Sequence, residues 1–285
     1  MATISEVKKD IEFYRDFASL IEVLKAIASF QFHALEKRIW TFGDCLKALE
    51  SFFDFVDVRK VRHPFVNIGG RPQLVIAVTS DSGLLGGLNR KVIAGALGQF
   101  NSSKDRLVVV GSQGQGFVKG LDLRVTPFDT VDDDNRHVRA MELRNLVLNE
   151  SLKGACGPVK IVYPYAVSLT VQRVVELPLL PCTRWAGDYI TENASIYHSD
   201  VIVEGSIGDI VEYLSYLWIG YKLYEILQFA RLAEHAARVI HLEESSYKIK
   251  DINKKLHLRY ARVRHEIIDQ QMRELFAARS IYVKR

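Results

Sequence analysis

All seven prolines of this 285-residue chain lie between Pro64 and Pro181. Before Pro64 the only glycine is Gly43, and after Ser206 the only glycines are Gly208 and Gly220. Two long stretches therefore lack the residues that end helices, while the middle holds most of them. Alternate steps of three and four residues from Ile4 reach Val7, Ile11, Tyr14, Ala18, Ile21, Lys25, Ala28, Phe32, Leu35, Ile39, Phe42, Leu46, Leu49 and Phe53. Only Lys25 interrupts this apolar seam, and Leu24 stands beside it. A heptad sustained over about seven repeats predicts one long coiled-coil helix.

The other end behaves alike. From Ser206 onward Ile210, Leu214, Leu217, Tyr221, Tyr224, Leu232, Val239, Leu242, Ile249, Leu256, Tyr260, Val263 and Ile267 recur at helical spacing. If continuous, this helix is on the order of 110 Å long, far beyond a usual globular helix. Between the two, Leu74–Val78 and Leu107–Val110 read as buried strands, and a third short strand falls near Leu121–Thr126. Helical stretches are expected around Arg90–Phe100 and Arg139–Glu150. Lys160–Tyr163 and Val171–Leu177 read as further strands bordering a turn. Strand and helix alternating at this spacing imply an α/β domain with a largely parallel sheet and an antiparallel edge. Neither terminal helix can bury its seam alone, so the two are expected to pair antiparallel. The expected segments are 1–63, 64–205 and 206–285.

Composition matters mainly through the placement of charge. With 48% hydrophobic and 25% charged residues, the chain is not of a disordered class. Acidic and basic residues balance over 1–63 and over 64–205, so the formal +4 lies on 206–285. Within that segment Lys248, Lys250, Lys254, Lys255, Arg259, Arg262 and Arg264 face only Asp251. Such a band is either a solvated helix face or a contact for an acidic partner: protein, nucleic acid or membrane surface. No run of eighteen uninterrupted apolar residues occurs. The N-terminus has neither a basic region followed by an apolar run nor the acid-poor character of a transit peptide. Cys45, Cys156 and Cys182 are odd in number and widely spaced, which argues against a disulfide framework or zinc knuckle and fits a reducing cytosol.

The motifs for chemistry fail one by one. There is no Gly-x-x-x-x-Gly-Lys-Ser/Thr. Gly111-Ser112-Gln113-Gly114-Gln115-Gly116 reverses the spacing of a dinucleotide fingerprint and reads better as a tight strand-to-helix turn, even with Asp132, Asp133 and Asp134 some way downstream. His-Glu-x-x-His, zinc-spaced Cys/His pairs and Gly-x-Ser-x-Gly are all missing. No catalytic, cofactor or metal site is expected. The basic helix does not continue into a parallel zipper of the DNA-binding kind.

Thr79-Ser80-Asp81-Ser82-Gly83-Leu84-Leu85-Gly86-Gly87-Leu88-Asn89 closely resembles the segment after the first strand of ATP synthase gamma subunits. That family usually has Arg or Lys at the position of Ser82 and often Cys at that of Leu85. Ala233-Glu234-His235-Ala236-Ala237-Arg238 resembles its Ser-Glu-x-x-x-Arg stretch, and Tyr260-Ala261-Arg262-Val263-Arg264-His265 its Tyr-Asn-Lys-x-Arg-Gln stretch. Glu204-Gly205-Ser206 resembles the Glu-Pro-Ser that opens the last helix, and Lys25-Ala26-Ile27-Ala28-Ser29 echoes a Lys-Ala-Met segment. Val239-Ile240-His241-Leu242 and Glu244-Ser245-Ser246-Tyr247 replace the family's Met-Ala-Met and Ala-Thr-Asn-Ala runs, and Asp269 a usual Thr.

The resemblance implies an antiparallel coiled coil of the terminal helices with a central Rossmann-like α/β domain. It implies a non-catalytic central-stalk rotor of an F-type ATPase that couples proton- or sodium-driven rotation to the alpha/beta hexamer. Its implied partners are the alpha and beta subunits, the epsilon subunit and the membrane c-ring, without nucleic acid, cofactor or direct membrane insertion. The implied place is the cytoplasmic face of the bacterial inner membrane. Arg238, Arg264, His265, Lys254 and Lys255 would face the hexamer, while Gly83, Gly86, Gly87 and Asn89 would shape the βα turn. Two alternatives stay open: a gamma-like rotor of a specialised sodium-linked, motility or export ATPase, and a basic coiled-coil nucleic-acid binder.

Overall fold

A computed structural model describes residues 4–39, 42–55, 61–100, 104–182 and 205–282. Glu204 of the Glu204-Gly205-Ser206 resemblance lies outside them. The described elements run α1 (Ile4–Glu36), α2 (Gly43–Phe55), β1 (Leu74–Val78), α3 (Leu88–Gly98), β2 (Arg106–Val110), α4 (Ser112–Val118), β3 (Arg124–Phe128), α5 (Arg136–Leu152), β4 (Val159–Ala166), β5 (Gln172–Leu180) and α6 (Ile207–Tyr282). Long terminal helices thus flank a mixed α/β sheet. Two compact units are found: Met1–Phe30 with Val239–Arg285, and Gln31–Arg238. They cut across the three consecutive segments read from sequence.

In the larger unit the strand order is β3-β2-β1-β4-β5. The first four strands are mutually parallel, and β5 runs antiparallel to β4 as the expected edge. Alternation along the strands assigns the two faces. Val75, Ala77, Leu107 and Val109 pack with Val92, Ile93 and Ala96 of α3 and Val118 of α4. Leu74, Ile76, Val78, Val108 and Val110 pack with Ala140, Leu143 and Val147 of α5, and with α6 from Val211 to Ala230. Each fully buried aliphatic side chain contributes roughly 1.5–3 kcal/mol of transfer free energy.

The first long helix is not continuous. It ends at Glu36 in a turn where Arg38 N and Ile39 N both donate to Leu35 O, and Leu46 N donating to Phe42 O opens the next helix. The seam residues on either side have different neighbours. Phe32, Leu35 and Ile39 pack with Leu232 and Ala236 of α6. Phe42 instead meets Tyr221 at 5.2 Å and Tyr224 at 5.8 Å between ring centroids. Periodicity counts apolar positions but not the partner each one finds.

In the smaller unit α1 and α6 pair antiparallel. Ile21 packs with Leu242 and Ile249, flanked by Tyr14, Ala18 and Leu24. Lys25, the one polar seam residue, is held by Glu22 at 2.7 Å and Glu243 at 2.6 Å. Ser246 Oγ donates to Glu22 Oε1 at 2.7 Å. These bonds hold the Glu22 carboxyl down at about 2 and raise the Lys25 ammonium above its ordinary value.

The β2–α4 turn shows why its glycines are there. Gly111 sits at φ 92, and a Cβ on it would lie 2.3 Å from Thr79 O. A Cβ on Gly114 would lie 2.2 Å from Thr79 Oγ1. Gly111→Ala combines left-handed strain with a backbone clash, so a loss of about 3 kcal/mol or more is expected. Urea unfolding of the full chain measures it; a loss below about 1 kcal/mol would contradict this account of the turn.

Candidate functional site

The β1–α3 turn is built from its polar side chains. Thr79 Oγ1 donates to Val110 O at 2.5 Å and accepts from Gly114 N at 3.1 Å. Ser112 N donates to Asp81 Oδ1 at 2.7 Å, and Gln113 N to Ser80 O at 3.1 Å. The first backbone amides of α4 are thus occupied by the chain's own turn, where a phosphate would have to dock. This supplies the physical reason that the glycine-rich run after β2 is a turn.

Asn89 is buried. Its Oδ1 accepts from Ser80 N at 3.1 Å and its Nδ2 donates to Ser80 Oγ at 2.8 Å. Gly86 has φ 58, in the region that favours glycine. Gly83 and Gly87 have open space where a Cβ would stand. Of these four expected turn residues, Asn89 and Gly86 therefore have a visible structural demand. Leu84 also adopts φ 63 and is half exposed, which costs about 1–2 kcal/mol for a residue with a Cβ.

Helix α6 lays a polar cluster beside this turn. Arg238 Nη2 donates to Ser82 Oγ at 2.5 Å, and Nη1 lies 3.3 Å from His235 Nδ1. Leu85 and Leu88 pack with Ala237 one residue away. Glu234 is buried and receives Arg231 Nη1 at 2.9 Å. Asp133 is the counter-ion of Arg136 and lies 3.6 Å from Arg231 Nε. Burial pushes the Glu234 carboxyl up, against the pull of Arg231. Burial likewise lowers the Arg238 guanidinium. His235 falls to about 4, first through burial and then through the charges of Arg231 and Arg238. It is neutral at physiological pH.

Sequence reasoning placed Arg238 at a partner; here both ends of its guanidinium are engaged inside the chain. The usual basic residue at position 82 is a serine, and that hydroxyl is what Arg238 meets. The other expected partner-facing residues belong to the smaller unit. Lys254, Lys255, Arg264 and His265 are exposed on α6, with Lys255 also 2.6 Å from Asp251. From Arg264 to Ala277 every residue of α6 is exposed, including Ile267, Ile268, Met272, Leu275 and Phe276.

One surface escaped the sequence reading. Phe13, Phe17, Leu20, Val23, Ile27 and Phe30 form a second apolar stripe on α1, all exposed. Their spacing of three and four residues was the available signal, overshadowed by the seam that starts at Ile4. By length and composition α1 could cross a membrane, with 17% of its most apolar window buried. That apolar content is divided between the face packed on α6 and the exposed stripe. Among the described residues no group of His, Cys, Asp and Glu is arranged to hold a metal.

Long terminal helices flanking a mixed α/β sheet define the architecture of a stalk-type subunit. The family model described as ATP synthase matches residues 3–280. The chain belongs to that family. It is 24% identical to the ATP synthase gamma chain of Bdellovibrio bacteriovorus over 96% of this chain and 97% of that one. It is 26% identical to the gamma chain of Clostridium beijerinckii over 71% and 70%. A chain of the Euglena gracilis mitochondrial ATP synthase OSCP/F1/c-ring assembly shares the fold with a TM-score of 0.73 at 16% identity, covering 97% of this chain and 93% of that one. A Tetrahymena thermophila mitochondrial central stalk/c-ring chain gives 0.59 at 18% identity, over 80% and 99%.

Acid should loosen the α6 cluster through His235. Between 6.5 and about 4 the unfolded histidine binds a proton that the folded one refuses. Its contribution is whole above 6.5 and lost as pH falls through that window, a loss of about 3 kcal/mol. Glu234, whose carboxyl is raised, changes stability in the opposite sense over its own range. Comparing Tm from pH 7 to pH 4 for the parent and His235→Gln isolates the histidine. The parent should lose more; parallel curves would contradict a buried neutral His235.

Proposed function

We infer that this chain is the central-stalk rotor of an F-type ATP synthase, set among the alpha and beta subunits and joined to the epsilon subunit and the c-ring. It forms and breaks no bonds in nucleotides. Its asymmetric surface makes the state of each hexamer site depend on rotor angle, which is coupling through differential contacts. The carrying observation is the near-full-length family match, together with a 76-residue α6 whose residues from Arg264 to Ala277 are all exposed. A helix in that state lacks the packing that normally sustains helical structure, and a surrounding sleeve would supply it.

The coupling ion is a proton or sodium, and the assigned place is peripheral, on the cytoplasmic face of a bacterial inner membrane. Lys254, Lys255, Arg264 and His265 are assigned to the hexamer, where arginine can grip a carboxylate at two points. The exposed α1 stripe is assigned to the same sleeve. Arg238 is assigned to positioning, since it ties α6 to the turn at Ser82.

Reconstitution with cognate alpha and beta subunits should give a complex whose ATPase activity depends on this chain. No complex, with hexamer activity indifferent to the chain, would overturn the reading. In membrane vesicles carrying the whole synthase, Arg264→Glu should lower coupled ATP synthesis about threefold or more, while Tm of the isolated chain moves by less than about 2 °C. Equal synthesis in variant and parent would remove Arg264 from the contact.

A further inference from the structure

A cavity of about 360 Å³ opens where α5 and α6 meet Phe42, walled by Phe42, His137, Leu217, Tyr221 and Tyr224, with Arg144 as its cation. Three of the walls are aromatic rings, and Phe42 lies 5.2 Å from Tyr221 and 5.8 Å from Tyr224 between centroids. Arg144 is only 6% exposed. Its Nε and Nη2 donate to Asn145 Oδ1 at 3.2 and 3.0 Å, and Nη2 also reaches Tyr216 OH at 2.6 Å. Its Nη1 meets only the thioether of Met141, a weak acceptor.

Arg144 thus has neutral partners and, among the described residues, no carboxylate. Arg136, at 8% exposed, has Asp133 as its counter-ion. Arg144 Cζ stacks 3.5 Å from the Tyr216 ring centroid, an attraction that strengthens on desolvation. That quadrupole softens the burial of a guanidinium without supplying an opposite charge. The open donor also has a direction. A Cβ on Gly220, which lines the cavity, would lie 3.2 Å from Arg144 Nη1, so the weakly engaged nitrogen points to the cavity side of α6.

We propose that this pocket binds a carboxylate carried on a flat apolar body. The carboxylate meets Arg144 Nη1, and the body lies against Phe42, Tyr221 and Tyr224. The walls favour a carboxylate over a phosphate, because one guanidinium among apolar rings leaves most oxygens of a dianion without donors. The carboxylate can come from a free small molecule or from an acidic side chain beside a bulky apolar residue of a partner subunit. The pocket lies wholly within residues 31–238 and stands independently of the rotor assignment.

The test is calorimetric titration of the full chain with 2-naphthoate, and with 2-naphthamide as the neutral control. Naphthoate should bind with Kd about 1 mM, about tenfold or more tighter than the amide. Arg144→Gln should abolish that preference, and Arg144→Lys should retain part of it. Gly220→Ala should weaken naphthoate binding while keeping Tm, because Ala suits a helix better than Gly. Equal affinity for acid and amide, or an undiminished preference in Arg144→Gln, would overturn the proposal. Repeating the titration on the assembled complex separates the sources. A persisting preference identifies a free small carboxylate, and one lost on assembly identifies a partner's side chain.

Discussion

A helix of 76 residues has no interior of its own, so everything α6 does depends on what its apolar stripe is given to pack against. From Val211 to Ala230 that partner is the sheet face covered also by α5. At Leu232 and Ala236 it is Phe32, and at Leu242 and Ile249 it is Ile21. The stripe stays in phase through these changes, which is why one unbroken helix can serve in both compact units. Its average amphipathicity is consequently weak, since the buried face is wide near the sheet and narrow where a single helix covers it. From Arg264 to Ala277 the same apolar spacing continues on exposed residues.

The polar residues along this stripe have paired roles. Glu243 and Ser246 occupy the region where the family's usual runs are replaced, and both bond to α1: Glu243 with Lys25 and Ser246 with Glu22. Ser246, in one of the replaced runs, and Glu243, between the two, thus contribute adjacent contacts across two helices. An ion pair at this exposure adds little stability, but it fixes which residues face one another, as polar groups in a coiled-coil seam do. Ser82 and Arg238 make a similar match in the larger unit. With a serine at position 82, the arginine finds a hydroxyl where a basic side chain would have repelled it.

The helix–sheet–helix order was readable because Pro, Gly and apolar period are local properties. So was the parallel sheet, since Leu74–Val78 and Leu107–Val110 are too uniformly apolar for a half-solvated strand. The turn between β2 and α4 was readable as a turn, but the reason, Thr79 crowding Gly111 and Gly114, is a contact over thirty residues of sequence. The break after Glu36 was hidden because Ile39 and Phe42 both obey the heptad while facing different partners. Arg238 could be recognised as special but not placed, because its hydrogen bond to Ser82 crosses 156 positions. The second stripe of α1 was visible in principle; two interleaved seams on one helix read as general hydrophobicity unless exposure separates them.

That second stripe bears on how a rotor can be held and still turn. Apolar contact is non-directional, and its free energy follows the area removed from water more than any fixed orientation. A row such as Phe13, Phe17, Leu20, Val23, Ile27 and Phe30 can therefore slide against a smooth apolar sleeve with little change in energy. Charged hydrogen bonds behave oppositely, because an arginine–carboxylate pair is favourable over a narrow range of distance and angle. Arg264 and its basic neighbours would thus supply angle-dependent energy, and the apolar row a nearly angle-independent grip. A shaft with only the first kind of contact would be held at a few positions and loose between them. One with only the second would turn freely and transmit nothing. On the proposed assignment the two kinds of contact would be divided between the paired helices, the apolar row on α1 and the basic band on α6.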